Sequence, residues 1–121
     1  MGGERDSLNV IFDQIGTPTY ARDLAKLILD IISTKPELSG LYHYSNEGIA
    51  SWYDFAYEIM QLSGINCKVL PIETKDYTTP ATRPHYSVLN KAKIKKAMPA
   101  LEIPHWKASL KYCVEKIKND Q

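Results

Sequence analysis

At 121 residues the chain has room for one domain built around one small hydrophobic core. With 44% hydrophobic and 24% charged residues its composition is that of a soluble globular protein, and a formal net charge of +1 supplies no basic field for nucleic acid. No apolar run is long enough to span a bilayer and no signal peptide opens the chain, so no membrane partner is expected and the expected location is cytoplasmic.

Met1-Gly2-Gly3 has the look of an added start. Residues 1–7 read as a flexible lead-in, 8–118 as the folded domain and 119–121 as a frayed tail. A strand begins almost at once, as if sequence had been removed upstream. Its apolar run, Val10-Ile11-Phe12, stops at Asp13. Gly16 then offers a residue free to take a positive φ, and Pro18 keeps Thr17 out of the helical region. From Ala21 to Ser33 the spacing predicts a helix. Leu24, Ala25, Leu27, Ile28, Ile31 and Ile32 fall on one face, expected to be buried, with Arg22, Asp23, Lys26 and Asp30 on the wet side.

Pro36 and Gly40 break that pattern, and Leu41-Tyr42-His43-Tyr44 alternates as a strand does. Ser45-Asn46-Glu47-Gly48 reads as a loop. Ser51, with Asp54 three residues on, resembles a capping box for a second helix. Trp52, Phe55, Ala56, Ile59 and Met60 share its apolar face, and Gly64 ends it. Cys67 to Ile72 is a third short strand, placed at an edge by Pro71. Glu73 to Tyr86 shows no periodicity and reads as a long ordered loop, a class that usually carries function. Asn90 is placed to cap a short helix through Ala97, and Pro104 to open a final helix whose tail, from Lys116, should fray. The order is that of a small α/β domain with about three short strands and four helices. So few strands imply that part of its surface faces another domain.

Catalytic patterns are mostly missing. His43, His85 and His105 lack the spacing of a metal site. The two cysteines, Cys67 and Cys113, sit outside any C-x-x-C and read as packed thiols rather than a disulfide. There is no Gly-rich phosphate loop and no nucleophile elbow. Tyr112 and Lys116 satisfy Tyr-x-x-x-Lys, but with eight tyrosines and abundant lysine chance supplies such a match. Arg83 stands out as the only arginine of the second half, bracketed by Pro80 and Pro84. Its planar fork of donors suits a phosphate, against the plainer role of a surface loop residue. Trp52 and the tyrosines at 42, 44, 53, 57 and 86 could stack on a base, but most of them are expected in the core.

Four pieces resemble one family in order and approximate spacing. They are Val10 to Tyr20 with Asp23-Leu24-Ala25, then Gly40-Leu41-Tyr42-His43, then Ser51-Trp52-Tyr53-Asp54-Phe55-Ala56, and Ala81-Thr82-Arg83-Pro84 with Ser87 and Leu89-Asn90. Together they are similar to the C-terminal part of dTDP-4-dehydrorhamnose reductases, extended short-chain dehydrogenase/reductases, over about residues 9–118.

The resemblance implies that this chain is the nucleotide-sugar binding domain of such an enzyme. A preceding Rossmann-type domain, on the order of 150 residues, would hold NADPH or NADH and the catalytic Tyr-Lys pair. No cofactor and no catalytic residue is then expected in the chain itself. The resemblance also implies that Arg83 binds the substrate diphosphate, with backbone or hydroxyl contacts from Thr17 and Thr19. Related enzymes carry a second arginine in that turn, and an acidic residue where Tyr86 stands here. The Arg83 loop and the Gly16 turn should therefore share one wall of a cleft. The alternative is a non-catalytic interaction module like the regulatory subunit of methionine adenosyltransferase, which resembles the same reductases.

Overall fold

The computed structural model describes residues 7–77 and 79–120. Of the lead-in expected over residues 1–7, residues 1–6 lie outside them, as does the last residue of the tail, while Ser7 opens the first strand. The fold is α/β, with four helices and two two-stranded sheets among the described residues. Strand β1 (Ser7–Ile11) pairs in parallel with β4 (Lys68–Ile72), from Ser7 opposite Lys68 to Ile11 opposite Ile72. Parallel pairing demands a long crossover, and the chain between the two strands supplies it. It contains β2 (Ile15–Gly16), α1 (Ala21–Thr34), β3 (Ala50–Ser51) and α2 (Trp52–Ser63). The remaining helices are α3 (Ala92–Ala97) and α4 (Trp106–Asn119). Helix α2 packs on β1, β4 and α4, and the core gathers Leu27, Ala50, Cys67, Val69, Ile94 and Trp106. Both cysteines are free thiols, Cys67 buried and Cys113 half-buried.

The local signals of α2 hold in detail. The Ser51 side chain accepts from the Asp54 backbone N–H, and Asp54 accepts from that of Ser51, each at 3.0 Å. Gly64 closes the helix with φ 73°, a left-handed value that costs glycine little. The N-cap of α3 is Lys91, without a side-chain bond, and Asn90 contributes from one residue earlier than expected, accepting from Ala92 N–H at 2.9 Å.

Other expectations need correcting. Leu41 to Tyr44 is not a strand. The side chains do alternate between exposed and half-buried, but no described backbone lies alongside to complete a ladder. On α1 only Leu27 is buried, while Leu24, Ile28 and Ile32 of the same stripe are exposed, Ile32 by 63%. Period 3.6 reports that a face is apolar, not that the same chain covers it. Gly16 has no positive φ. Its reason is the close passage of Ser87, whose carbonyl oxygen would lie 3.3 Å from a Cβ there. Pro104 does not open α4, which begins two residues later with His105 as its N-cap. The backbone before it is used otherwise: Glu47 N–H donates to Pro104 O and Trp106 N–H to Glu47 O, both at 2.9 Å. The stretch from Lys116 expected to fray continues α4 to Asn119, and Lys118 Nζ donates to Leu62 O.

Candidate functional site

The long loop after β4 is rooted at both ends on three consecutive residues. At its start, one turn of 3-10 helix (Thr74–Asp76), the Asp13 carboxylate accepts from the backbone N–H and the hydroxyl of Thr74. The Gln14 amide donates to the same hydroxyl at 3.3 Å. At the far end, Ile15 N–H donates to His85 O and Ser87 N–H to Ile15 O, both at 2.7 Å. His85 Nδ1 lies 2.8 Å from Asp13 O. The Thr74 hydroxyl, with support from its backbone N–H, holds the Asp13 carboxyl below its ordinary value, so it stays an acceptor at neutral pH.

This rooting lays the Arg83 loop alongside β2, whose other edge pairs with β3 in antiparallel register, Ile15 opposite Ser51. Three short backbone segments thus form the floor of one open cleft of about 350 Å³. Gly16, Thr17, Trp52 and Arg83 all line it, so the structure brings the arginine and the Gly16 turn together. Arg83 is the only charged side chain among the lining residues. Among the described residues no ion pair engages it. A guanidinium presents a planar fork of donors, able to meet two oxygens of one anion at once.

The two threonines part company. Thr17 lines the cleft, but its hydroxyl donates to Gly48 O at 2.7 Å and so offers an incoming phosphate only lone pairs. Thr19 is not among the lining residues. Its hydroxyl donates to Thr17 O at 3.2 Å and accepts from Asn46 N–H at 3.3 Å, tying the turn together from behind.

What the sequence concealed is the support beneath this turn. Asn46, wholly buried, accepts from Tyr20 N–H at 2.7 Å and donates to Asp23 at 2.8 Å and to Pro104 O at 3.2 Å. Ser109 donates to the same Asp23 oxygen. Lys91 reaches in with Nζ 2.7 Å from Glu47 and 3.2 Å from Asn46 O, while Lys95 meets Glu47 at 3.0 Å. Lys91, and Lys95 after it, hold the Glu47 carboxyl below its ordinary value. One loop residue therefore fastens the starts of α1 and α4, and its neighbour fastens α3. Its only signal was a polar cluster between two apolar elements.

Trp52 also departs from expectation. It is 57% exposed on the cleft wall rather than in the core, and Tyr57 and Tyr86 are exposed too. Tyr112 and Lys116 both face solvent, and Tyr112 carries the Arg22 guanidinium 4.7 Å above its ring. Among the described residues no group of three His, Cys, Asp or Glu side chains could hold a metal ion, and no helix is long and apolar enough to cross a membrane.

Comparison with known proteins gives consistent matches. The chain is 41% identical over 107 residues to the spore coat polysaccharide biosynthesis protein SpsK of Bacillus subtilis, covering 88% of this chain and 36% of that protein. It is 40% identical over 117 residues to the dTDP-4-dehydrorhamnose reductase of Escherichia coli, covering 89% and 38%. The crystal structure of a dTDP-4-dehydrorhamnose reductase from Clostridium acetobutylicum superposes with a TM-score of 0.87 at 41% identity, over 97% of this chain and 41% of that one. That of the Bacillus anthracis reductase in complex with NADP does so with a TM-score of 0.81 at 37% identity, over 91% and 37%. The chain thus spans well under half the length of these relatives. The family model of the RmlD substrate binding domain matches residues 1–119, nearly end to end, and the chain belongs to that family.

Proposed function

We propose that this chain is the nucleotide-sugar binding part of a cytoplasmic dTDP-4-dehydrorhamnose reductase. The whole enzyme would reduce the 4-keto group of dTDP-4-dehydro-L-rhamnose to give dTDP-L-rhamnose, with NADPH or NADH. The observation that carries the reading is the joint lining of one cleft by Arg83 and the Gly16–Thr17 turn. Arg83 grips the diphosphate. Thr17 lines the same cleft, and Thr19 holds the turn in place. The work of this chain is positioning of the sugar and exclusion of water from it.

The nicotinamide cofactor does not fit here. No Gly-rich dinucleotide loop occurs in the sequence to cradle its pyrophosphate. Cofactor and proton donor belong to a preceding Rossmann-type domain. Two features of this chain support such a neighbour: the exposed apolar face of α1, and the segment from Leu41 to Tyr44, which joins no ladder among the described residues. A parallel sheet takes both, the helix on its face and the segment at its edge.

The test is a titration of dTDP into the chain, followed by backbone amide shifts. Shifts should cluster around Arg83 and Gly16–Thr17 and vanish in Arg83→Ala. In a full-length enzyme the same substitution should raise KM for the nucleotide sugar, and the chain alone should show no turnover. Unchanged KM, or reductase activity of the chain itself, would refute the assignment.

A further inference from the structure

We infer that Trp52 is a stacking platform for the nucleobase, so that this one wall reads both the base and the diphosphate of its ligand. The inference rests on the diphosphate reading of Arg83 and adds the second half of the recognition.

Three observations carry it. Trp52 is the first residue of α2, directly after the Ser51 N-cap, so the capping box fixes the backbone from which the indole projects. The indole lines the same cleft as Arg83 while remaining 57% exposed. It is also braced: Phe55 meets it edge-on, with centroids 6.4 Å apart at 70°, and Phe55 in turn meets Trp106 at 6.3 Å and 61°. Trp106 is 3% exposed and belongs to the core. A chain of aromatic contacts therefore runs from the interior to the lip of the cleft and ends in a ring with surface to spare.

An aromatic surface held rigid costs little ordering when a flat ligand lands on it. The cleft thus pairs one flat apolar surface with one lone cation. A ligand that satisfies both has a π system at one end and an anionic group at the other, which is the make-up of a nucleoside diphosphate. Stacking reads a base by its face, so this contact supplies affinity and orientation and leaves base identity to be read elsewhere.

The chain's two tryptophans make the test direct, because buried Trp106 serves as the internal reference for exposed Trp52. The probes are dTDP and inorganic pyrophosphate, titrated into the isotope-labelled chain while both indole N–H signals are followed. The expected result is that dTDP moves the Trp52 signal, leaves that of Trp106 in place, and binds about fivefold or more tighter than pyrophosphate. Trp52→Ala should bring dTDP down to the level of pyrophosphate without weakening pyrophosphate, and Trp52→Phe should keep much of the difference. The Trp106 signal reports whether each variant is folded. If dTDP gains nothing over pyrophosphate, or if Trp52→Ala weakens both alike, the platform is refuted while the anion site stands. If pyrophosphate binding is absent, or indifferent to Arg83→Ala, the diphosphate reading itself fails and the platform with it.

Discussion

Replacing Asn46 by alanine should be among the most damaging single changes away from the core. The side chain is wholly buried and makes four hydrogen bonds, two to the start of α1 at 2.7 and 2.8 Å and two to the stretch Pro104 to Ser109 at 3.2 and 3.4 Å. After truncation Pro104 O keeps the Glu47 N–H and Asp23 keeps the Ser109 hydroxyl, so the unmet group is chiefly Tyr20 N–H at the entry to α1. A lost neutral bond is worth about 1 kcal/mol and one to a carboxylate about 2 kcal/mol, which puts the expected loss at about 3 kcal/mol. A protein of this kind has roughly 5–15 kcal/mol in total, so the midpoint of unfolding should drop by about 10–15 °C. Urea titration, followed by the fluorescence of the buried Trp106, measures it. Asn46→Asp is the sharper companion. It keeps the shape and the acceptor for Tyr20 N–H, but sets a carboxylate where the amide now donates to Asp23. If hydrogen bonding governs this site, aspartate is at least as harmful as alanine at neutral pH; if shape alone governs it, aspartate is nearly neutral. A loss below about 1 kcal/mol for alanine, or a milder effect for aspartate, would refute the reasoning.

Glu47 should give a recognisable acid limb. Its carboxyl is held below the ordinary value of 4.5 by Lys91 first and Lys95 second, so the unfolded chain takes up the proton before the folded one. The contribution is therefore complete above about pH 4.5 and fades as pH falls through the folded value. Because the carboxylate is 37% exposed, its size is about 1 kcal/mol or less. The stability difference between the parent chain and Glu47→Gln, measured from pH 6.5 downward, should shrink toward the acid end; a constant difference contradicts the pairing. A pair of glycines separates strain from collision. Gly64→Ala has φ 73° but no atom within 4 Å of the new methyl, so it should cost about 1 kcal/mol from strain alone. Gly48→Ala, with φ 89°, would drive its methyl into the His105 ring and to 2.9 Å from Trp106, adding roughly 1–3 kcal/mol. Equal losses in denaturant titration would show that the rings yield freely.

The features legible in the sequence were those decided within a few residues. Ser51, Asp54 and Gly64 act on neighbouring backbone, so their residue types alone announce both ends of α2. The span of α1 was legible for the same reason, and its cover was not, because burial depends on what lies opposite. Leu41 to Tyr44 failed similarly: alternation sets which way side chains face, whereas a strand also needs a partner. Pro104 has the right chemistry to start a helix and is overruled by a ladder to Glu47, more than fifty residues earlier. Arg83 could be singled out from its residue type, but its meeting with the Gly16 turn came only with the family resemblance. Asn46 showed only as one member of a polar loop, since its partners come from distant segments that no single pattern joins.

The loop that carries Arg83 stands with both feet on Asp13, Gln14 and Ile15. Its span can therefore change without the scaffold noticing. Doubling the length of such an arch adds only about 0.6 kcal/mol of closure entropy, and neither foothold has to move. The reach of the arginine over the cleft is thereby uncoupled from the folding of the rest. Natural or engineered variation in ligand should accumulate in this arch, while the three residues under it stay constrained by both ends at once.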